Sequence, residues 1–152
     1  MLASDFQAIR ELSRSLGRSS EPSHFGNDEC QLVVKDGQGQ LVGWARAGWW
    51  EPDDPVAPAG YYLSGVEVAR EYQQRGLASM LTAARLEWIA MRDKRYAWCV
   101  VNAQNTESLA LQASFGFEEI ARASHFGSVS FSGGSGLLLR KEITEDSSIV
   151  SA

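Results

Sequence analysis

The chain reads as an α/β domain on a mixed sheet. Three observations predict this: two early apolar segments separated by a turn, a long helical stripe between two further segments, and a short helix leading into the last strands. Hairpins supply antiparallel pairing, while strand-helix-strand units supply parallel pairing.

The elements follow in order. Phe6, Ile9, Leu12 and Leu16 recur at helical spacing, with Ser4 or Asp5 positioned to cap the first amides. Ser19 to Ser23 reads as a loop. Gln31 to Lys35 and Leu41 to Ala47 form a hairpin about Asp36-Gly37-Gln38-Gly39. Glu51 to Pro58 gathers Pro52, Pro55 and Pro58 with three acids and is a loop, after which Tyr61 to Val68 resumes strand character. Leu77, Met80, Leu81, Ala84, Trp88 and Met91 share one helical stripe, which ends near Arg92-Asp93-Lys94-Arg95, cations suited to a helix C-terminus. Ala97 to Val101 is a nearly continuous apolar run, as for a strand covered on both faces. Thr106 to Phe115 is a helix closed by Gly116, and Phe117 to Ala121 with Gly136 to Arg140 are the last strands, joined through a glycine-rich turn at Ser132 to Gly136. Residues 1–143 make one domain, and the polar tail 144–152 frays.

Composition narrows the functions. A chain of 152 residues can bury roughly 68 to 70% of its unfolded surface, so it needs no disulfide or metal staple. Its net charge of -5 argues against a nucleic-acid track, which relies on a basic surface. Cys30 and Cys99 make no metal-ligand spacing, fit a reducing compartment and read as small buried residues. No secretory pattern opens the chain and no apolar run of about 18 residues occurs, so we expect a cytoplasmic protein with no membrane or nucleic-acid partner. A monomer and a homodimer both stay open.

Gln73-Gln74-Arg75-Gly76-Leu77-Ala78-Ser79 lies between a strand end and a helix start, where unpaired amides and the positive dipole end can hold a phosphate. Gly76 allows close backbone approach. The Walker and dinucleotide patterns are both missing, which leaves Q-x-x-G-x-A. This loop, following Val66 and Val68, resembles that of the GNAT superfamily of acetyl-CoA-dependent N-acetyltransferases. Asn105 to Phe117 is similar to the family's second signature, N-x-x-A-I-x-L-Y-x-x-x-G-F, at most positions. The similarity covers about residues 30 to 141, and the family's first strand is not identifiable.

The resemblance implies a mostly antiparallel sheet with one parallel, splayed strand pair flanked by helices. It implies acetyl-CoA as cosubstrate, held by Gln73, Gln74, Arg75, Gly76, Leu77, Ala78 and Ser79. The backbone of Val66 and Val68 would pair with the pantetheine arm, and Asn105 and Ser108 would line its other side. Transfer would go directly to a primary amine of a small molecule, with no metal and no covalent enzyme intermediate.

Thioester aminolysis needs a neutral amine, an oxyanion donor and an exit for the thiolate. The amide of Val66 or Val68 is the candidate donor. Where the family carries a tyrosine proton donor this chain has Gln112, which either positions the sulfur or a water or is a surface amide. A thiol titrating at about 8.5 leaves tolerably as thiolate without a donor. Some family members place a glutamate where this chain has Ser64. Glu67, the nearest acid, alternates onto the opposite face from Tyr62, Ser64, Val66 and Val68, so only a bulge would bring it round as base. The other readings are an ion-paired structural acid and a water relayed by Ser64 and the loop acids.

Trp49, Trp50, Glu51, Asp53 and Asp54 join aromatic faces to carboxylates, a combination that attracts an alkylammonium, or else form a solvated loop with a tryptophan in the core. His24 and His125 read as structural, with His125-Phe126 near the acceptor pocket. The rival function is an acyl-CoA sensor that kept the cleft and lost catalysis, for which Gln112 and Ser64 both speak.

Overall fold

The computed structural model describes residues 3–17, 28–93 and 95–143; Ser19 to Ser23, His24 and the tail from Thr144 lie outside them. The order is α1 (Ala3–Ser15), β1 (Glu29–Lys35), β2 (Leu41–Trp50), β3 (Gly60–Val68), a 3-10 turn at Arg70–Tyr72, α2 (Leu77–Ala90), β4 (Tyr96–Asn102), α3 (Thr106–Ser114), β5 (Glu118–Ala123), β6 (His125–Phe126), β7 (Val129–Ser130) and β8 (Gly136–Glu142). The main sheet runs β1-β2-β3-β4-β8-β5, and β6 and β7 form a separate small hairpin. Every pair in the main sheet is antiparallel except β3 with β4. This is the mixed sheet that the element order predicts, mostly antiparallel as the resemblance implies. Among the described residues no strand precedes β1.

Two helical stripes differ from expectation. In α1, Ile9 and Leu12 pack on Trp44, but Phe6 is 46% exposed. Asp5 lies inside the helix rather than capping it, and its buried carboxylate meets Lys35 Nζ at 3.1 Å; the side chain of Ser4 is outside the described residues. In α2 the buried face is Leu81, Thr82, Arg85 and Ile89, whereas Met80, Ala84 and Met91 just past the helix end are exposed. The buried face is rotated from the predicted stripe and holds Arg85, a cation, at an inward position.

The β1-β2 hairpin turns where predicted. Asp36 Oδ1 accepts from the amides of Gln38 and Gln40, fixing the turn before Gly39 at φ 80°. Along β2 the faces alternate. Gly43 and Ala47 look toward Leu81 and Ile89 of α2, while Trp44 packs under α1.

On β3 the alternation breaks. Ala45 opposes Val66 and Arg46 opposes Ser64, which leaves Gly65 unpaired as a bulge at φ 62°. Only glycine fits, since a Cβ there would sit 2.8 Å from the Trp44 ring. Directly opposed residues share a face, so Glu67, opposite Trp44, joins Tyr62 and Ser64 on the α1 face. Val66 and Val68, opposite Ala45 and Gly43, turn to the α2 face. Strict alternation put the two valines with Ser64 and Glu67 apart; the bulge reverses both.

β3 and β4 pair only through Tyr62 with Trp98 and Leu63 with Cys99. Beyond that they diverge. Two cores hold the joint: Ala47, Leu63, Ile89 and Cys99 on the α2 side, and Trp50, Tyr62, Phe126 and Leu138 on the other.

Candidate active site

The diverging strand ends leave a cleft of about 850 Å³. Its walls include Ser64, Val66, Glu67 and Val68 from β3, Gln73, Gln74, Gly76, Leu77, Ala78 and Ser79 from the loop and α2, and Asn105, Ser108 and Gln112 from α3. Arg75 is not in the wall; its guanidinium stacks 5.0 Å over Tyr72.

The loop is shaped by two left-handed residues, Gln74 at φ 63° and Gly76 at φ 82°. Gly76 caps α2, its carbonyl accepting from Met80 N at 3.0 Å. The amides of Leu77, Ala78 and Ser79 then have no acceptor within the helix, and no acid stands in the first turn to neutralise the dipole. Gln73 Nε2 donates to the Val68 carbonyl at 2.9 Å, tying loop to strand. Unpaired amides at a helix start are the groups that can hold a phosphate.

Which β3 amides face the cleft follows from the ladder. Ala69 N donates to Val42 O at 2.8 Å, so Glu67 and Trp44, two residues along, form the next bonded pair. Val66 and Val68 between them direct their amides away from β2, toward the divergence.

Asn105 caps α3, its side-chain oxygen accepting from Ser108 N at 3.1 Å. Three and seven residues on from it, Ser108 and Gln112 continue the same helical stripe into the cleft. Gln112 is no surface amide. It is 3% exposed, and its Oε1 has no hydrogen-bond partner. Such an oxygen on a cleft wall is open to a donor from a ligand or from water.

Glu67 is buried, with Trp44 Nε1 donating to one carboxylate oxygen at 2.8 Å and Ser13 Oγ to the other at 3.2 Å. A carboxylate offers about four acceptor sites. On the α2 side, Arg85 is 1% exposed. Its guanidinium donates to the carbonyls of Leu81, Arg46 and Gly65 and to Thr82 Oγ1 at 3.0 to 3.3 Å. Desolvation pulls its pKa down to about 10, which leaves it a cation at neutral pH. Sequence reasoning missed Arg85; the available signal was a basic residue four positions from both Leu81 and Ile89. It also missed Tyr62 and Val129, which line the cleft.

The aromatic-acidic loop divides. Trp50 lines the cleft and packs edge-on to Tyr62, centroids 4.9 Å apart. Glu51, Asp53 and Asp54 are not in the cleft wall. Glu51 accepts from Trp49 Nε1. Asp54 accepts from Val56 N, Ala57 N and Gly127 N, bonds that hold its pKa below the usual carboxylate value. His125 is exposed and Phe126 buried beside Trp50. Both cysteines are buried free thiols, and burial pushes Cys99 up to about 12, which leaves it inert as a nucleophile.

The comparisons with known proteins agree with this fold. A family model described as the acetyltransferase (GNAT) family matches residues 3–117. The fold is similar to the ribosomal-protein-S18-alanine N-acetyltransferase of Escherichia coli, with TM-score 0.74 and 17% identity over 95% of this chain and 91% of that one. It is also similar to a phosphinothricin acetyltransferase of Sinorhizobium meliloti in complex with AcCoA, with TM-score 0.72 and 18% identity over 95% and 86%. Arabidopsis thaliana NAA60 in complex with acetyl-CoA gives TM-score 0.71 and 18% identity over 94% and 96%. No curated protein matches by sequence. With the family model spanning most of the chain, this protein belongs to the GNAT family of acetyltransferases, with acetyl-CoA as cosubstrate.

Proposed function

We propose that the chain passes the acetyl group directly to a primary amine of a small cationic acceptor entering from the α1 face. The observation that carries this is the Gly65 bulge, which brings a buried glutamate, Glu67, onto the face that also bears Ser64 and Tyr62. Glu67 takes the proton of the incoming ammonium, directly or through a water held by Ser64, and passes it to solvent; the second proton, lost from the tetrahedral nitrogen, follows the same route as the thiolate is expelled. The Val66 amide donates to the carbonyl oxygen as it gains charge, in a position that needs no rearrangement. Leu77, Ala78 and Ser79 hold the diphosphate, and the thiolate leaves unprotonated because Gln112 has no acidic proton to give. Trp50 offers an aromatic face, and the net charge of -5 favours approach of a cation.

Thiol release from acetyl-CoA tests this across polyamines, aminoglycosides, neutral amines and peptide N-termini. Polyamines or aminoglycosides should lead, and a preference for neutral amines or peptides would overturn the cationic acceptor. Glu67→Gln should lower kcat by about 10²- to 10⁴-fold at unchanged acetyl-CoA affinity. Gln112 at the tyrosine position favours a second reading, an acyl-CoA sensor. Tight CoA binding with no thiol release from any amine would select it.

A further inference from the structure

We infer that Arg85 is a positioning residue that sets the oxyanion donor, acting through the Gly65–Val66 peptide. The inference rests on the assignment of the Val66 amide to that role.

At the bulge on β3, Arg85 reaches two carbonyls of the β2–β3 ladder, those of Arg46 and Gly65. One guanidinium nitrogen, Nη1, donates to Arg46 O at 3.0 Å and to Gly65 O at 3.3 Å. Nε is anchored to Leu81 O and Nη2 to Thr82 Oγ1, and Thr82 in turn donates to Ala78 O, so the group is held from its own helix. The nearest turn of that helix begins at the phosphate-binding amides. Arg85 therefore links the diphosphate cradle to the bulge in one rigid piece.

Two consequences follow from peptide geometry. In a trans peptide the carbonyl and the following N–H point in opposite directions. With Gly65 O drawn toward Arg85 and β2, Val66 N–H is aimed the other way, into the divergence of β3 and β4. A hydrogen bond from a cation to the carbonyl also polarises the peptide, which makes its N–H a stronger donor. The cation keeps that strength because it is fully buried, and all of its hydrogen bonds are to neutral groups. A neutral side chain of the same volume fills the space without supplying either effect.

The test uses the full chain, labelled with nitrogen-15, as wild type, Arg85→Met and Arg85→Lys. The probes are CoA and a ketone analogue of acetyl-CoA with a methylene in place of the thioester sulfur. In wild type the Val66 amide proton should move further downfield with the ketone than with CoA, while the amides of Leu77 to Ser79 respond equally to both. In Arg85→Met the Val66 response to the ketone should fall by more than half, with CoA affinity within about threefold of wild type. Arg85→Lys, charged but unable to bridge both carbonyls, should fall between. Steady-state turnover adds the split a structural role would not give: kcat down by about 10- to 100-fold, part of what loss of an oxyanion donor costs, and KM for acetyl-CoA little changed. Methylguanidinium should restore part of kcat to Arg85→Ala.

An undiminished Val66 response in a folded Arg85→Met or Arg85→Lys would overturn the inference and leave the Val66 assignment standing. If Val66 ignores the ketone in wild type while Leu77 to Ser79 respond to both probes, the Val66 assignment itself fails, and the inference with it.

Discussion

At the scale of single residues, Gly76 and Gln112 make opposite demands. A Cβ on Gly76 would meet nothing within 4 Å, so its necessity is conformational: φ is 82°, in the left-handed region. Forcing a non-glycine residue there costs about 1 to 3 kcal/mol, most for a β-branched one. Gly76→Val should lower CoA affinity by about tenfold or more, and Gly76→Ala less, as calorimetric titration would show. Gln112 is the reverse case, a residue whose replacement should help the free protein. Its buried, unpartnered Oε1 costs about 1 to 3 kcal/mol until something donates to it. Gln112→Leu should raise the unfolding midpoint yet weaken acetyl-CoA binding by about 2- to 10-fold, the worth of one hydrogen bond. Thermal melts and titration of the same sample check both signs. The sequence showed Gly76 through its place between strand and helix. It could not show whether Gln112 faced water or the cleft, because its neighbours on α3 are mixed: Leu109 packs on the core, Ser108 is small and polar, and Leu111 is only half-buried.

Among elements, β3 carries the site and was the least legible. Its strand character was evident from Tyr61 to Val68, but a bulge leaves no mark on composition beyond a glycine, and Gly65 alone does not distinguish a bulge from plain pairing. The consequence was a whole-face error for Val66, Glu67 and Val68. The rotated face of α2 meets the bulge at Arg85, which points inward and donates to the carbonyls of Arg46 and Gly65. The hairpin of β6 and β7 was missed for another reason: two-residue strands have no period to detect. That hairpin is fastened to the loop after β2 by Asp54, whose pKa is lowered by three backbone amides, first Ala57, then Gly127 and Val56. A carboxylate with a depressed folded pKa stabilises above its unfolded value and loses that contribution as the pH falls through the folded one. The Gly127 amide should therefore lose protection only as the pH falls through Asp54's lowered folded value, beneath the ordinary carboxylate value of about 4, while core β4 amides stay protected. Asp54→Asn should show the labile behaviour already at pH 6, and hydrogen exchange at the two pH values measures it.

For the molecule as a whole, the sheet is two halves, β1-β2-β3 and β4-β8-β5, bridged at only two register positions. A cleft in that place is costly, because edge amides of β3 and β4 stand without strand partners. The cores around Leu63 and Cys99 and around Tyr62 and Trp98 are what keep the halves together. A ligand that donates to and accepts from both edges completes the sheet, so it should stabilise the fold globally and quieten the divergence locally. At a concentration 100 times its Kd, binding to the native state alone adds about 2.7 kcal/mol. For a domain of this size each kcal/mol raises Tm by about 2 to 4 °C, so acetyl-CoA should raise the melting midpoint by about 5 to 11 °C. The local signature separates this from mass action alone. Amide exchange at Val66, Val68 and Asn102 should slow with acetyl-CoA more than at Leu32 and Val33 on the far edge. Slowing of equal size in both places would mean that the ligand holds the helix tip without joining the strands.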